Sequence, residues 1–367
     1  MPTATRRRYE ILYPIGKGAF GTVYRGRVLG DGGFTKDVAI KLLRSDLEDA
    51  EDFAARQRDE ARLLGLIHHR AIVQVDGLVR LDGRWAVVME YIDGVDLRQI
   101  RKRADIPVAC AVAVVREVAG ALKVASSARK LVHRDIKPSN ITITRAGEVK
   151  LLDFGSAKAR FDQREARTVN LVLGTPHYMA PERYKGVDGP AGDVFALGAV
   201  LGELVNGDRL PRPPMKSSSF PKYLDGVRDQ LVAKGVHAEV ARLVTDCLVA
   251  DPEARPSAGE IATRAWELER ELSGPRLETW AHGVVDRVQE ELGHERAALP
   301  EPMVLEESDD TPAPELVPPP PPAAAPRRLG TSTAATLGAA GMLGLLLMLA
   351  GGALVLVVLF VALLGGG

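Results

Sequence analysis

Hydrophobic and polar residues follow two different periods along this chain. Short apolar runs separated by glycine-rich turns, as at 9–27 and 37–43, predict a small antiparallel sheet. After residue 96, and dominantly from 109 onward, apolar residues recur at helical spacing. Strands followed by helices predict an α+β domain of two lobes over residues 9–272, preceded by a basic tail at 1–8.

Two further segments follow this domain. Residues 273–294 are predicted to contain an amphipathic helix, and we favour a helix docked on the domain over one that binds a partner. Residues 295–328 are rich in Pro, Ala and Glu, which predicts an extended, disordered linker that buries no core. The helical prediction rests on the spacing of Leu277, Trp280, Val284, Val288 and Leu292.

The end of the sequence predicts a membrane anchor. Residues 329–367 carry no charge, and the apolar run at 334–364 exceeds the roughly 20 residues that span a bilayer. Arg327 and Arg328 precede this run, so the positive-inside rule predicts a single-pass anchor in the cell membrane with the large domain in the cytoplasm. Small residues along one side of the helix make a homodimer a candidate.

Overall charge and cysteine content exclude several classes of protein. Lys plus Arg and Asp plus Glu are 48 each, so the net charge predicts no nucleic-acid partner. Cys110 and Cys247 are too few for a disulfide framework and lie in apolar helical runs, which predicts buried free thiols. The basic N-terminus lacks a following apolar run, so no signal peptide is predicted.

A glycine-rich loop lies between the first two predicted strands. Gly16, Gly18 and Gly21 let backbone N–H groups approach phosphate oxygens closely. The pattern G-x-G-x-x-G is weak evidence alone, because dinucleotide-binding folds also carry it. There, however, the loop opens a helix. Strands on both sides of the loop therefore favour a lid over a nucleotide.

A lysine on the third predicted strand is the next candidate group. Lys41 ends the run VAIK, where its charge would meet the α- and β-phosphates of a nucleotide. An acid on a nearby helix would hold the lysine in place. We favour Glu60 over Asp59, because Glu60 shares a side of the predicted helix at 52–66 with apolar residues.

The segment HRDIKPSN at 133–140 carries the chemistry of phosphoryl transfer. Asp135 can accept the proton of a substrate hydroxyl, Lys137 can neutralise charge on the transferring group, and Asn140 can hold a metal ion. Asp153 follows a predicted strand pair and could chelate Mg²⁺ between the β- and γ-phosphates. His133 is predicted to be a packed, structural histidine.

Residues 9–272 resemble the eukaryotic-like serine/threonine protein kinases, including their bacterial branch. The resemblance implies the bilobal protein-kinase fold and transfer of the γ-phosphoryl group of ATP to Ser or Thr of protein substrates, with Mg²⁺ or alternatively Mn²⁺. Five motifs occur in the family's order: the glycine loop at 16–21, VAIK at 38–41, HRDIKPSN at 133–140, DFG at 153–155 and GTPHYMAPE at 174–182.

The resemblance also implies roles for individual residues. Glu182 would pair with Arg255, and Asp193 would brace the catalytic loop. Thr168 is the candidate phosphosite because Arg134 precedes the catalytic aspartate, with a solvated loop threonine as the alternative. The implied ATP-binding residues are Ile15, Gly16, Gly18, Gly21, Val23, Ala39, Lys41, Met89 as gatekeeper, and Glu90 and Ile92 in the hinge.

One departure from the family pattern falls within the site. Thr142 stands where relatives usually have a leucine beneath adenine, which makes the pocket floor more polar and could raise the KM for ATP.

We expect a membrane-anchored kinase that autophosphorylates in trans in signal transduction. The alternative is a pseudokinase scaffold that binds nucleotide at the membrane; the retained Lys41, Asp135 and Asp153 disfavour it. A small-molecule kinase is disfavoured by the segment 174–182.

Overall fold

The computed structural model describes residues 7–18, 21–44, 65–129, 131–154, 177–293 and 303–307. All of them belong to one compact unit, residues 1–314. The predicted Glu60, Thr168 and membrane helix lie outside the described residues. In the part of the chain that is described, no helix is long and apolar enough to cross a bilayer.

The described residues form a large antiparallel sheet, a small sheet and a set of helices, which confirms the predicted two-lobed α+β architecture. The large sheet has the order β4-β5-β3-β2-β1-β9 and the small one the order β6-β7-β8. The strands are β1 (Arg8–Gly18), β2 (Gly21–Leu29), β3 (Thr35–Leu43), β4 (Val75–Leu81), β5 (Arg84–Glu90), β6 (Gly94–Asp96), β7 (Ile141–Thr144), β8 (Val149–Leu151) and β9 (Met303–Glu306).

The alternation along β3 gives the large sheet its two faces. Val38, Ile40 and Leu42 are buried in the core of the first lobe, together with Tyr9 and Ile11 of β1. Successive side chains of a strand point to opposite faces, so the residues between them, Ala39 and Lys41, face the other way. That second face forms part of a cavity described below.

The prediction of an extended linker without core contacts at 295–328 is wrong for Met303–Glu306. These residues form β9, which pairs antiparallel with β1, and Leu305 lies opposite Tyr9. Leu305 is buried in the core of the first lobe. The Pro- and Ala-rich composition of the whole segment obscures a short apolar run, which is stabilised by pairing with the edge of a sheet rather than by its own composition.

The second lobe is mainly helical and its core is built around α3. Nearly every residue of α3 is buried, including Gly198, where a Cβ would lie 2.3 Å from the Cβ of Cys247. Cys110 and Cys247 are both buried and free, as predicted. The helices are α1 (Leu97–Arg101), α2 (Val108–Arg129), α3 (Pro190–Asn206), α4 (Phe220–Ala233), α5 (Ala238–Cys247), α6 (Ala258–Glu271) and α7 (Leu277–Gly293).

Helix α7 lies in the segment where the sequence predicts an accessory helix. Its apolar face is buried in the core of the second lobe, through Leu277, Ala281, Val284, Val285 and Val288. The opposite face carries the exposed Arg287 and Glu290. This division follows the helical period of the sequence.

Candidate active site

A cavity of about 520 Å³ is lined by residues of both lobes. One end is mostly apolar and the other carries charged and amide side chains. The apolar wall includes Ile15, Val23, Ala39, Val73, Met89, Ile92 and Leu152, and the polar end includes Lys41, Asp135, Lys137, Asn140 and Asp153.

Lys41 joins the sheet of the first lobe to the floor of the second. Its Nζ lies 2.7 Å from Oδ1 of Asp153. The positive charge of Lys41 lowers the pKa of Asp153, against the opposing effect of burial. Glu60, the predicted partner of Lys41, lies outside the described residues. The aspartate is therefore ionised at neutral pH and held beside a cation.

The catalytic loop holds the carboxylate of Asp135 from two sides. Lys137 Nζ donates to Asp135 Oδ2 at 2.6 Å, and the amide nitrogen of Asn140 donates to the same oxygen at 3.2 Å. Asn140 Nδ2 also donates to the backbone oxygen of Asp135 at 2.8 Å. These bonds fix the orientation of the Asn140 amide and bring three of the predicted site residues together.

Two residues of the site have left-handed backbone conformations that side chains rarely adopt. The φ angles are 70° at Arg134 and 59° at Asp153. Each such conformation costs on the order of 1–3 kcal/mol, so neighbouring contacts must hold it. Asp193 holds the first, accepting bonds from the backbone amides of His133 at 2.6 Å and of Arg134 at 2.8 Å. Lys41 contacts the second through its ion pair.

His133, the first residue of the catalytic loop, is fully buried. Its Nε2 lies 2.8 Å from the backbone oxygen of Leu152, and its ring packs edge-on against Phe154 at 4.5 Å. Burial lowers the pKa of the imidazole. The neutral ring therefore connects the catalytic loop to the strand that leads to Asp153, which is the structural role expected of it.

An acidic and basic cluster next to the catalytic loop was missed by the sequence reasoning. Arg134 donates through Nε to a carboxylate oxygen of Asp188. Arg183 lies 3.2 Å from the other oxygen of Asp188 and donates to Asp193 Oδ1 at 2.8 Å. Arg183 is only 5% exposed. The only sequence signal was the position of Arg183 directly after the motif that ends at Glu182.

Glu182 and Arg255 form the predicted ion pair. Two parallel bonds, of 2.6 and 2.8 Å, join their side chains, and Arg255 also stacks over the ring of Phe195 at 4.9 Å. Two bonds in a fixed geometry make this one of the stronger kinds of ion pair. The pair joins the end of the 174–182 segment to the loop before α6.

The chain was compared with known protein families. The protein kinase domain family matches residues 9–267. The chain belongs to this family. Curated relatives place it in the bacterial serine/threonine branch: it is 35% identical over 274 residues to the serine/threonine-protein kinase PknD of Mycobacterium tuberculosis, covering 70% of this chain and 39% of that one. The matched region is thus an ATP-dependent protein serine/threonine kinase domain, and the family uses a divalent metal ion.

Two other comparisons agree with this assignment. A probable serine/threonine-protein kinase of Corynebacterium efficiens is 34% identical over 324 residues, covering 85% of this chain and 47% of that one. The crystal structure of the M. tuberculosis PknI kinase domain matches with a TM-score of 0.53 at 27% identity, covering 71% of this chain and 95% of that one. The chain spans about a third to a half of the length of the curated relatives it matches.

The glycine loop of the kinase is the tip of the β1–β2 hairpin. Gly16 lies opposite Val23 and Gly18 opposite Gly21. A Cβ on Gly21 would lie 2.0 Å from the backbone oxygen of Leu42, so this glycine permits β2 to pack against β3. Gly21 thus has a packing role that the sequence reasoning did not give it.

The hinge of the kinase follows β5. Met89 lies opposite Ala39 in the β3–β5 pair, which places the predicted gatekeeper beside the apolar wall. The carboxylate of Glu90 is bound by Lys150 Nζ at 2.8 Å and by the backbone amide of Gln74 at 2.9 Å. The side chain is thus engaged by β8, and any contact of Glu90 with adenine falls to its backbone.

Two further residues line the kinase cavity. Thr142, on β7, is buried in its floor, where the sequence places it. Leu292, from the last turn of α7, also lines the cavity although it lies beyond the matched kinase domain. Its apolar spacing predicted a helix face, but nothing in that spacing indicated which part of the domain it would meet.

A buried acid anchors the middle of the 174–182 segment, at Tyr178. Tyr178 donates its hydroxyl proton to a carboxylate oxygen of Glu203, and Arg101 Nε lies 2.9 Å from the other oxygen. Glu203 is 2% exposed, so its charge is balanced within the fold. Three elements, the segment, α1 and α3, are thereby joined.

The donor set fits Mg²⁺. Asn140 and Asp153 line the same end of the cavity and offer an amide oxygen and a carboxylate, the oxygen ligands this ion takes in proteins. Since Asn140 is held through its nitrogen, its oxygen is at the opposite side of the amide from Asp135. The lowered pKa of Asp153 keeps that ligand ionised.

Proposed function

We propose that this chain is a membrane-anchored serine/threonine protein kinase that transfers the γ-phosphoryl group of ATP to protein hydroxyls, its own activation loop included. The observation that carries the proposal is the grouping of Lys41, Asp135, Lys137, Asn140 and Asp153 at one end of a single cavity. Phosphoryl transfer depends mainly on positioning and charge stabilisation, which these groups supply.

Each group has a role set by its contacts. Lys41 would bind the phosphates of ATP, and Asp135, held by Lys137 and Asn140, would accept the proton of the attacking hydroxyl. Asn140 and Asp153 would hold Mg²⁺, with Mn²⁺ as an alternative. Bound there, the ion offsets the charge of the β- and γ-phosphates. Ile15, Ala39 and Met89 would enclose adenine, as in the family.

The rival function is a pseudokinase scaffold. It is disfavoured because Asp135 is positioned by two side chains and the loop that carries it is braced by Asp193. A scaffold that only bound nucleotide would not need this second set of contacts. The two functions make opposite predictions about an Asp135 variant.

The test compares full-length protein with two variants, each supplied with Mg²⁺ and γ-labelled ATP. Asp135→Asn should lower phosphoryl transfer by roughly 10²–10⁴-fold while nucleotide still binds. Asp225→Asn, a matched change at an exposed residue in a surface ion pair, should leave transfer unchanged. Label on Ser or Thr in the wild type and Asp225→Asn alone supports a kinase. Nucleotide binding without any label in the wild type would establish the scaffold.

Autophosphorylation is proposed at Thr168, in trans. Arg134 is the basic group beside the catalytic aspartate, and a phosphate on the activation loop could compete with Asp188 for it. When Asp135→Asn protein is mixed with wild type and γ-labelled ATP, the inactive Asp135→Asn copy should become labelled. Adding Thr168→Ala to that inactive copy should remove its label, which phosphopeptide mapping would detect. Label confined to the wild-type copy would argue against a trans reaction.

The membrane anchor is proposed for residues 329–367, from their length, their lack of charge and the preceding Arg327 and Arg328. Full-length protein should float with liposomes, and Leu349→Arg, at the middle of the apolar run, should weaken this association because a charge at the bilayer centre is costly. A protease site inserted after Pro314, the end of the compact unit, should release the kinase. A released fragment that still floats would show that the anchor lies elsewhere.

A further inference from the structure

Two elements lie beyond the matched kinase domain, and each packs against a different lobe of the kinase. The family match ends at residue 267, whereas α7 covers Leu277–Gly293 and β9 covers Met303–Glu306. Helix α7 is packed in the core of the second lobe, and β9 is a strand of the first-lobe sheet. We call these two elements together the strap.

The helical part of the strap ends at the hinge. Gln289 Nε2 donates to Oδ1 of Asp93, directly after the hinge, at 2.9 Å. Glu291 lies 3.1 Å from Arg103, beyond α1. Leu292 follows Glu291 directly in the sequence, is half-buried and lines the cavity. The polar contacts are exposed and individually weak, so they orient the last turn of a helix that is held by its buried face.

The strand part of the strap joins the two ends of the first-lobe sheet. It pairs with β1 along Arg8–Ile11. On the other side, Asp82 in the β4–β5 turn exchanges two bonds with Glu306, both of 3.1 Å. Strand β4 itself bridges to Glu307 at Leu81. One strand thereby contacts both ends of the sheet: it pairs with the edge strand β1 and makes a single bridge to β4.

From these contacts we propose that Leu292 is a nucleotide-binding residue supplied from outside the kinase domain, and that β9 helps to hold the first lobe against it. The inference rests on the proposed function, since it assigns a further residue to the ATP site. Leu292 offers an apolar side chain to the cavity, from the last turn of a helix whose Gln289 contacts Asp93 beside the hinge. The side chain would cover the apolar face of the purine ring of a bound nucleotide.

Leu292 lies on α7, outside the catalytic loop at 133–140, and this position determines the effect expected when its side chain is truncated. Truncating Leu292 removes apolar contact from bound nucleotide before and during the reaction alike, so binding weakens while the chemical step is unaffected. We expect Leu292→Ala to raise the Kd for N-methylanthraniloyl-ADP and the KM for ATP by about 3- to 10-fold, with kcat within about twofold.

The experiment uses full-length protein and the matched variant Arg287→Ala, an exposed position of the same helix. Arg287→Ala should have the wild-type Kd. Gln289→Glu, which sets a carboxylate beside Asp93, should raise the Kd in the same direction as Leu292→Ala. Thermal melting establishes that each variant is folded. Equal Kd values for Leu292→Ala and Arg287→Ala, with wild-type protein binding and transferring normally, would overturn the inference alone.

The contribution of β9 is measured separately. Leu305 is buried and Val304 is 50% exposed, so Leu305→Ala and Val304→Ala form a matched pair on one strand. Leu305→Ala should speed hydrogen exchange at Tyr9 and Ile11 and raise the Kd, and Val304→Ala should do neither. Faster exchange with an unchanged Kd would overturn the role of β9. Wild-type protein that binds no nucleotide would overturn the proposed function, and the inference with it.

Discussion

Asp193 Oδ1 accepts a hydrogen bond from the backbone amide of Arg134 at 2.8 Å, although the two residues lie 59 positions apart. The same oxygen accepts from Arg183 at 2.8 Å, and Oδ2 accepts from the amide of His133 at 2.6 Å. One buried carboxylate on α3 therefore holds two consecutive amides of the catalytic loop. Because Asp135 follows directly, its position depends on this carboxylate.

Asp193→Asn should destabilise the protein and slow catalysis. The amide has one acceptor oxygen, so at least one of the three donors loses its partner, and the buried Arg183 keeps only Asp188 of its two anionic partners. We expect a loss of about 3 kcal/mol in the free energy of unfolding and a fall in kcat of roughly 10- to 100-fold. Urea unfolding and steady-state kinetics measure these. Asp208→Asn, at an exposed residue, is the control; equal kcat in both variants would contradict the bracing role.

Glu182→Gln should destabilise the protein without acting on the nucleotide. The Arg255 side chain is 0% exposed and would keep its charge with a neutral partner. Breaking a buried pair on one side costs about 3–5 kcal/mol, reduced here by the backbone oxygens that Arg255 also contacts. Urea unfolding should show the loss, and Glu239→Gln, in an exposed pair, should show almost none. A stability equal to that of Glu239→Gln would mean that the pair is dispensable.

The parts of the site that the sequence could predict are those whose chemistry depends on short spacing. Asp135, Lys137 and Asn140 lie within six positions, and the structure groups them by direct hydrogen bonds. The strand alternation likewise assigns Lys41 and Ala39 to one face before any tertiary contact is known. For these residues, sequence spacing and strand alternation are sufficient to predict the arrangement.

The parts that the sequence could not predict depend on distant packing. Leu292 fits a helical period, but which part of the kinase its helix meets is fixed by the fit of α7 against the second lobe. Strand β9 forms because β1 offers an unpaired edge, which no composition of residues 303–306 specifies. Arg183 and Asp188 meet Arg134 only after the chain has returned to the catalytic loop.

The free energy of unfolding should decrease as the pH falls below about 6.5, and His133 contributes to this decrease. Its folded pKa is lowered by burial, so between that value and the unfolded pKa of about 6.5 the unfolded chain binds a proton that the folded chain does not. Stability from this residue is therefore full above pH 6.5 and declines as the pH falls below it, by up to about 1.4 kcal/mol per unit.

His133→Phe removes this proton linkage and separates it from other groups. The variant should be less stable at pH 7.5, because Leu152 loses its hydrogen bond, yet its melting temperature should fall less steeply between pH 6.5 and 5. His69, whose pKa burial also lowers, contributes equally to both proteins and cancels in the comparison. If the melting temperatures of the two proteins fell in parallel across that range, burial would not lower the pKa of His133 in the folded state.

Thr142→Val should strengthen ATP binding. Thr142 is 6% exposed in the cavity floor, and valine keeps its shape while removing the hydroxyl. A nucleotide base covering that hydroxyl must desolvate it, at a cost of about 0.5–2 kcal/mol, so the KM for ATP and the Kd for nucleotide should fall by about 2- to 30-fold. The kcat should not change, because β7 carries none of the groups that hold Asp135. Thr263→Val, exposed on α6, is the control. A higher KM would mean that the hydroxyl forms a hydrogen bond with the nucleotide. Thr142 would then contribute to nucleotide specificity instead of weakening binding.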